Sequence, residues 1–218
     1  MSETLDLKAI ERKAFRSTHQ DGLWDIYISS VVGSMALLMF IPVRDDYPWL
    51  YQVLAFLGIG AGYLVFWAGK KFVTLPRMGQ VKFGEIRRKR NKTLALILGG
   101  VVLIQVGIVL LTAGAWAIPA WGDILQELFP GRSATDLLVA AVGALFVGPS
   151  MMAIAYFTDF PRGYYIALVM TLGVFLMIWF WQPLIQVGAA FLILIPGVVL
   201  FIRFLRQYPL PPAEARHA

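Results

Sequence analysis

The residues of this chain whose types and spacing could do chemistry gather in a few short stretches. In Phe15-Arg-Ser-Thr-His-Gln-Asp-Gly-Leu-Trp-Asp25 they are Arg16, Ser17, Thr18, His19, Gln20, Asp21 and Asp25. If this stretch is helical, Asp21 and Asp25 stand four residues apart and share a face. Two carboxylates with a histidine could bind a metal ion or serve as acid and base. The plainer reading is the start of an interfacial helix, with Asp21 near the positive end of the helix dipole and Trp24 in an aromatic belt.

A second set is an internal echo. Thr74-Leu-Pro-Arg-Met-Gly79 and Asp159-Phe-Pro-Arg-Gly163 share an apolar-Pro-Arg-(x)-Gly pattern. Proline stops a helix, arginine lies at headgroup depth, and glycine permits the turn. In the functional version Arg77 and Arg162 converge on one anionic group, such as a lipid phosphate, as bidentate donors. In the bland version each arginine anchors a helix end or pairs with Asp21, Asp25 or Asp159.

Other chemistries are excluded by composition. The sequence has no cysteine, so disulfides, thiolate metal sites and cysteine nucleophiles are absent. Its two histidines, His19 and His217, are too few for a bis-histidine haem within a bilayer or for a His-based zinc site. Met151 and Met152 lack the His or Cys that would accompany copper ligands. No metal and no cofactor is expected.

The elements that must position these groups follow from hydropathy. The chain is 59% hydrophobic and 15% charged, with mean hydropathy +0.70. Soluble domains are nearer half apolar and a quarter charged. Uncharged runs cover 26–43, 47–69, 93–122, 137–158 and 163–202. A helix needs about 20 apolar residues to cross a hydrocarbon core of about 30 Å. The last run is long enough for two spans, and Trp179-Phe-Trp-Gln-Pro183 marks the break: aromatics suit the headgroup belt and proline suits a first helical turn. Backbone groups in lipid must be satisfied internally, and the runs do not alternate as barrel strands do.

The predicted fold is an all-α integral membrane protein, a bundle of six transmembrane helices near 24–43, 48–69, 93–118, 136–157, 163–181 and 184–203. Residues 1–22 form a cytoplasmic arm, 70–92 a basic cytoplasmic loop and 206–218 a tail. With the N-terminus inside, Arg44 and Arg132 are the only outer basic residues of 19. This positive-inside bias predicts N-in/C-in topology and accounts for the net charge of +6 without nucleic acid. The arm reads as a short amphipathic helix over 2–20, with Leu7, Ile10 and Ala14 on one face. It docks on lipid or packs on the bundle.

In the basic loop, Pro76 and Gly79 argue for a turn after the second span, and helix resumes near Glu85. Lys82, Arg87, Arg88, Lys89, Arg90 and Lys92 form a patch that attracts anionic lipid, at about 1 kcal/mol per residue near the surface. The spans themselves are poor in polar groups. Gly58 with Gly62, and Ala140, Ala144 and Gly148, repeat small residues at four-residue spacing and suit close helix contact within the bundle or between protomers.

The stretches Phe15-Arg-Ser-Thr-x-Gln-Asp-Gly-Leu-Trp-Asp25 and Pro76-Arg-x-Gly-x-Val-Lys-Phe83 resemble those of small prokaryotic multi-span membrane proteins to which no activity is assigned. The resemblance covers about the first half of the chain and implies a bacterial or archaeal cytoplasmic membrane. The Asp-Gly-x-x-Asp pattern is also similar to that of lipid phosphotransferases, but the further aspartates those enzymes need are missing.

The sequence therefore points first to a non-enzymatic membrane protein, an accessory subunit or lipid-interacting scaffold working at its cytoplasmic rim. Its expected partners are membrane lipids, anionic on that side, with a second copy or another membrane subunit as further candidates. The alternatives are a permease-type subunit for an apolar or amphiphilic solute, and an enzyme acting on lipid headgroups. The candidate ligand set is Arg16, His19, Asp21, Asp25, Arg77, Asp159 and Arg162.

Overall fold

The structure is a computed structural model and describes residues 19–39, 48–78, 85–117, 127 and 132–209. The expected arm up to residue 18 with Arg16, the end of the first span at Phe40–Val43, Lys82 and the tail from 210 lie outside the described residues.

All the elements among the described residues are helices. They are α1 (Leu23–Met39), α2 (Pro48–Ala68), a π-helical turn (Gly69–Thr74), α3 (Leu75–Met78), α4 (Glu85–Ala117), α5 (Arg132–Phe157), α6 (Arg162–Phe180) and α7 (Pro183–Gln207). Among the described residues, five helices are long and apolar enough to cross a membrane: α2 with its extension, α4, α5, α6 and α7. The 17 residues of α1 rise roughly 26 Å. Leu96 on α4 is 77% exposed and Leu103 is 74% exposed. Apolar side chains that open on a contiguous face call for lipid or a partner rather than water.

The chain divides into two compact units, Met1–Gly84 with Val187–Ala218, and Glu85–Gln186. In the first unit α1 packs against α2 and meets α7. Gly58 and Gly62 on α2 stand against Ser34 and Ser30 on α1, so closely that a Cβ on either glycine would fall on the serine hydroxyl oxygen. The Ser30 hydroxyl donates to the Tyr27 carbonyl at 2.8 Å, one turn back, so this polar group is satisfied inside the helix. Small residues at four-residue spacing on both helices let the two backbones approach. Along α7, the α1 side packs through Gly33 near Ala190 and through Gly22 against the Gly197 carbonyl. Gly22 has φ +72°, a conformation that suits glycine, and a side chain there would also strike Gly197.

In the second unit α5 and α6 form a helical hairpin, with α4 beside α5. Gly143 lies against Val174 and Ile178, Gly148 against Thr171, and Gly163 against Ala155. Pro149 in α5 has no N–H to offer the preceding turn. Beside it, Gln105 of α4 donates to the Phe146 carbonyl at 2.8 Å and to the Ser150 hydroxyl at 3.3 Å.

The uncharged run 163–202 breaks at its aromatic-proline sequence. Helix α6 ends at Phe180, Trp181 turns to φ 52°, and Pro183 opens α7. The Trp181 amide donates to Ile178 and the Gln182 amide to Met177, the paired closing bonds of a Schellman turn. Helix α5 closes in the same way, with Asp159 at φ 50°, its amide on Tyr156 and the Phe160 amide on Ala155.

The region after the second apolar run differs from the sequence expectation. The helix does not stop at 69; it continues as a π turn and ends at Met78, with Pro76 inside the last turn. A proline ring collides with the carbonyl four residues back, and widening the preceding turn relieves that collision while the helix carries on. The two Pro-Arg stretches therefore do different jobs. Pro76 lies within a helix end, and Pro161 caps the start of α6.

Replacing Gly62 with leucine is expected to lower the melting temperature of the detergent-solubilised protein by several degrees, because overpacking costs about 1–3 kcal/mol. Gly60 has nothing near its Cβ position, so Gly60→Ala should melt within error of the parent. Light-scattering thermal scans of the pair check this.

Candidate functional site

Asp21 precedes α1 and is fully buried, with 0% exposure. Its Oδ1 accepts the Leu23 amide at 3.2 Å, a local turn that starts α1. Its Oδ2 accepts two bonds from the π turn, from Lys70 Nζ and from Thr74 Oγ1, both at 2.7 Å. The π geometry matters here. Lys70 and Thr74 are four residues apart, and a turn of more than four residues places them nearly in line on one face, where both reach one acceptor. Gly69 makes this approach possible, since a Cβ there would press into the Leu23 side chain at 2.8 Å.

The Lys70 side chain keeps 22% of its surface exposed, and its ammonium also lies 5.8 Å from the Phe66 ring. Phe66 belongs to an aromatic group that packs α1 on α2. Its centroid is 4.8 Å from that of Trp24 and 5.5 Å from that of Tyr27. His19 is buried and stacks on Trp24 at 6.0 Å. Asp25 is buried in the first turn of α1, where Gly197 of α7 comes against its Cβ. Arg77 sends Nη1 back to the Val73 carbonyl at 2.9 Å, satisfying a backbone acceptor at the helix end.

The second unit has its own buried carboxylate. Asp159 receives a two-pronged contact from Arg90, Nη1 to Oδ2 at 2.6 Å and Nη2 to Oδ1 at 3.2 Å. Nη2 also donates to the Tyr156 carbonyl at 2.6 Å. The guanidinium lies 5.8 Å from the Tyr156 ring and 6.0 Å from the Phe157 ring. A planar fork on a carboxylate and a carbonyl, over two aromatic side chains, is a geometry that only arginine supplies. Arg162 stands over Phe160 at 5.5 Å.

Of the sequence candidates, His19, Asp21, Asp25 and Arg77 belong to the first unit, and Asp159 and Arg162 to the second. Asp21 takes Lys70 as its cation and Asp159 takes Arg90, neither of which is an arginine of the Pro-Arg stretches. Arg90 must accordingly be set apart from the basic patch. Arg88, Lys89 and Lys92 are exposed, while Arg90 is partly buried against α5. Among the described residues no group of three His, Cys, Asp or Glu is placed to hold a metal ion. Lys70 and Thr74 carry a local signal in the sequence, a four-residue spacing that continues the face of α2. Arg90 and Asp159, 69 residues apart, carry none.

Comparison with known proteins finds no matching family, no matching curated protein and no matching solved structure.

The two partners of the first pair should respond unequally to mutation. Asp21 cannot reach water, so Lys70→Leu strands a buried carboxylate and is expected to cost about 3–5 kcal/mol. Asp21→Asn leaves an amide that still accepts from Thr74, beside a lysine that can turn to solvent, and is expected to cost about 1–2 kcal/mol. Unfolding in mixed micelles measures both; equal costs would contradict the asymmetry.

Proposed function

We propose that the chain is a non-enzymatic multi-span membrane protein, an accessory subunit or scaffold that takes anionic lipid along its cytoplasmic rim. In this reading six helices cross the bilayer, with the arm, the 70–92 segment and the tail on the cytoplasmic side of a cell membrane.

The observation that carries the reading is the facing of the basic residues at the start of α4. The 33 residues of α4 rise roughly 50 Å. A hydrocarbon core takes up about 30 Å, so a substantial part of this helix stands in the headgroup region or beyond. The Arg90–Asp159 pair ties its basic end to the turn between α5 and α6. Arg88, Lys89 and Lys92 lie within two residues of that tie and are exposed. At about 100° per residue they share one side of the helix, while Arg90 faces away toward the turn. One arginine thus sets the depth, and three cations face outward at that depth, where anionic headgroups gather.

The state of the carboxylates favours this reading over a headgroup enzyme. An acid or base must present an oxygen to its substrate. Asp21 is fully buried and its oxygens are engaged by Leu23, Lys70 and Thr74.

Neutralising the exposed set as Arg88→Gln, Lys89→Gln and Lys92→Gln should weaken phosphatidylglycerol binding, by about 1 kcal/mol or roughly fivefold for each cation removed. Lipid exchange in nanodiscs of graded phosphatidylglycerol content measures this. The difference should shrink at high salt. Unchanged preference in the triple variant would overturn the proposal.

A further inference from the structure

Neighbouring lysines of the π turn have opposite fates. Lys70 turns inward to Asp21, and Lys71 points outward and is exposed. Lys71 makes no ion pair among the described residues. Its ammonium stands 4.7 Å from the Trp67 ring and 5.5 Å from the Phe72 ring. Those rings meet edge to face at 89°, with centroids 6.2 Å apart. They form a right-angled corner that covers the ammonium on two sides and leaves the rest of it open.

Both rings are themselves open to the surroundings, Trp67 at 46% and Phe72 at 63% exposed. Toward the middle of α2 the exposed surface continues with Tyr63 and Leu64. The surface is therefore amphipathic in a definite order. One uncompensated cation sits at the end, aromatic faces surround it, and apolar side chains follow along the helix. The matching ligand has an anionic head joined to a long apolar body. Because Asp21 is already paired with Lys70, it does not compete with that head for Lys71.

We propose that Trp67, Lys71 and Phe72 seat one anionic phospholipid, with its phosphate on the Lys71 ammonium and its glycerol and acyl chains along Trp67 and Leu64. The ammonium is the kind of donor that snorkels to headgroup depth, and tryptophan belongs at the same level. A free phosphate ion would share the contact to Lys71 and gain nothing from the rings. The proposal rests on the membrane-spanning reading of α2, and not on lipid binding by the basic face of α4.

The test is native mass spectrometry of the full chain in detergent, titrated with phosphatidylglycerol and with phosphatidylcholine. It is run in the parent and in the Arg88→Gln/Lys89→Gln/Lys92→Gln background, so that loss at α4 is read separately from loss at Lys71. Lys71→Ala should weaken phosphatidylglycerol binding about fivefold in both backgrounds and leave phosphatidylcholine unchanged. Lys71→Arg should restore it. Trp67→Ala with Phe72→Ala should weaken both lipids. Inorganic phosphate at millimolar concentration should not displace phosphatidylglycerol. Parent-like binding by Lys71→Ala overturns the site, and displacement by inorganic phosphate overturns its assignment to a lipid.

Discussion

A carboxylate withdrawn from water must find a cation and hydrogen-bond donors, and in this protein that requirement organises the helix ends. An isolated buried carboxylate costs far more than a single domain can absorb. Asp21 and Asp159 meet the requirement alike, each within its own unit. Lys70 comes to Asp21 from 49 residues away, and Arg90 comes to Asp159 from 69 residues away. Pairs of this kind add little net stability over apolar packing. What they add is position, since each cation is usable only when its helix stands at one height and one rotation.

Backbone details that look unrelated serve the same two pairs. The π turn brings Lys70 and Thr74 to one oxygen, and glycine at 69 lets that turn lie on Leu23. At the other carboxylate, Asp159 holds a left-handed conformation at the end of α5, where glycine or asparagine would be easier. Asparagine would keep the turn but not the charge that Arg90 needs. Serines 30 and 34 accept the close approach of Gly58 and Gly62, which seats α2 on α1 roughly two to three turns along the helices from the Asp21 pair.

Much of this architecture could be read from the chain because hydropathy and punctuation are local. The long run 163–202 announces its own division at Trp181-Gln182-Pro183, and Glu85 marks where helix resumes before the third run. The extension of α2 to Met78 was not readable in the same way. Lys70 and Lys71 end the apolar run, and hydropathy cannot distinguish a helix that stops from one that continues because its lysines find Asp21 and the aromatic corner. The small residues at 58 and 62 indicated close contact without naming the partner, although Ser30 and Ser34 repeat the same spacing. The ion pairs themselves join residues far apart in sequence, so their formation depends on tertiary placement that no spacing rule encodes. Lys70 and Arg90, which pair with Asp21 and Asp159, lie outside the local Pro-Arg echo.

The central claim is that paired buried carboxylates hold helix ends in place. A double-mutant cycle on the second pair tests it most directly, with Arg90→Met, Asp159→Asn and the double variant unfolded in mixed micelles. Asparagine tolerates the backbone of position 159, so the cycle isolates the charge contact. A coupling energy of about 1–3 kcal/mol is expected. Strictly additive losses would show that Arg90 and Asp159 act independently, and would contradict the account.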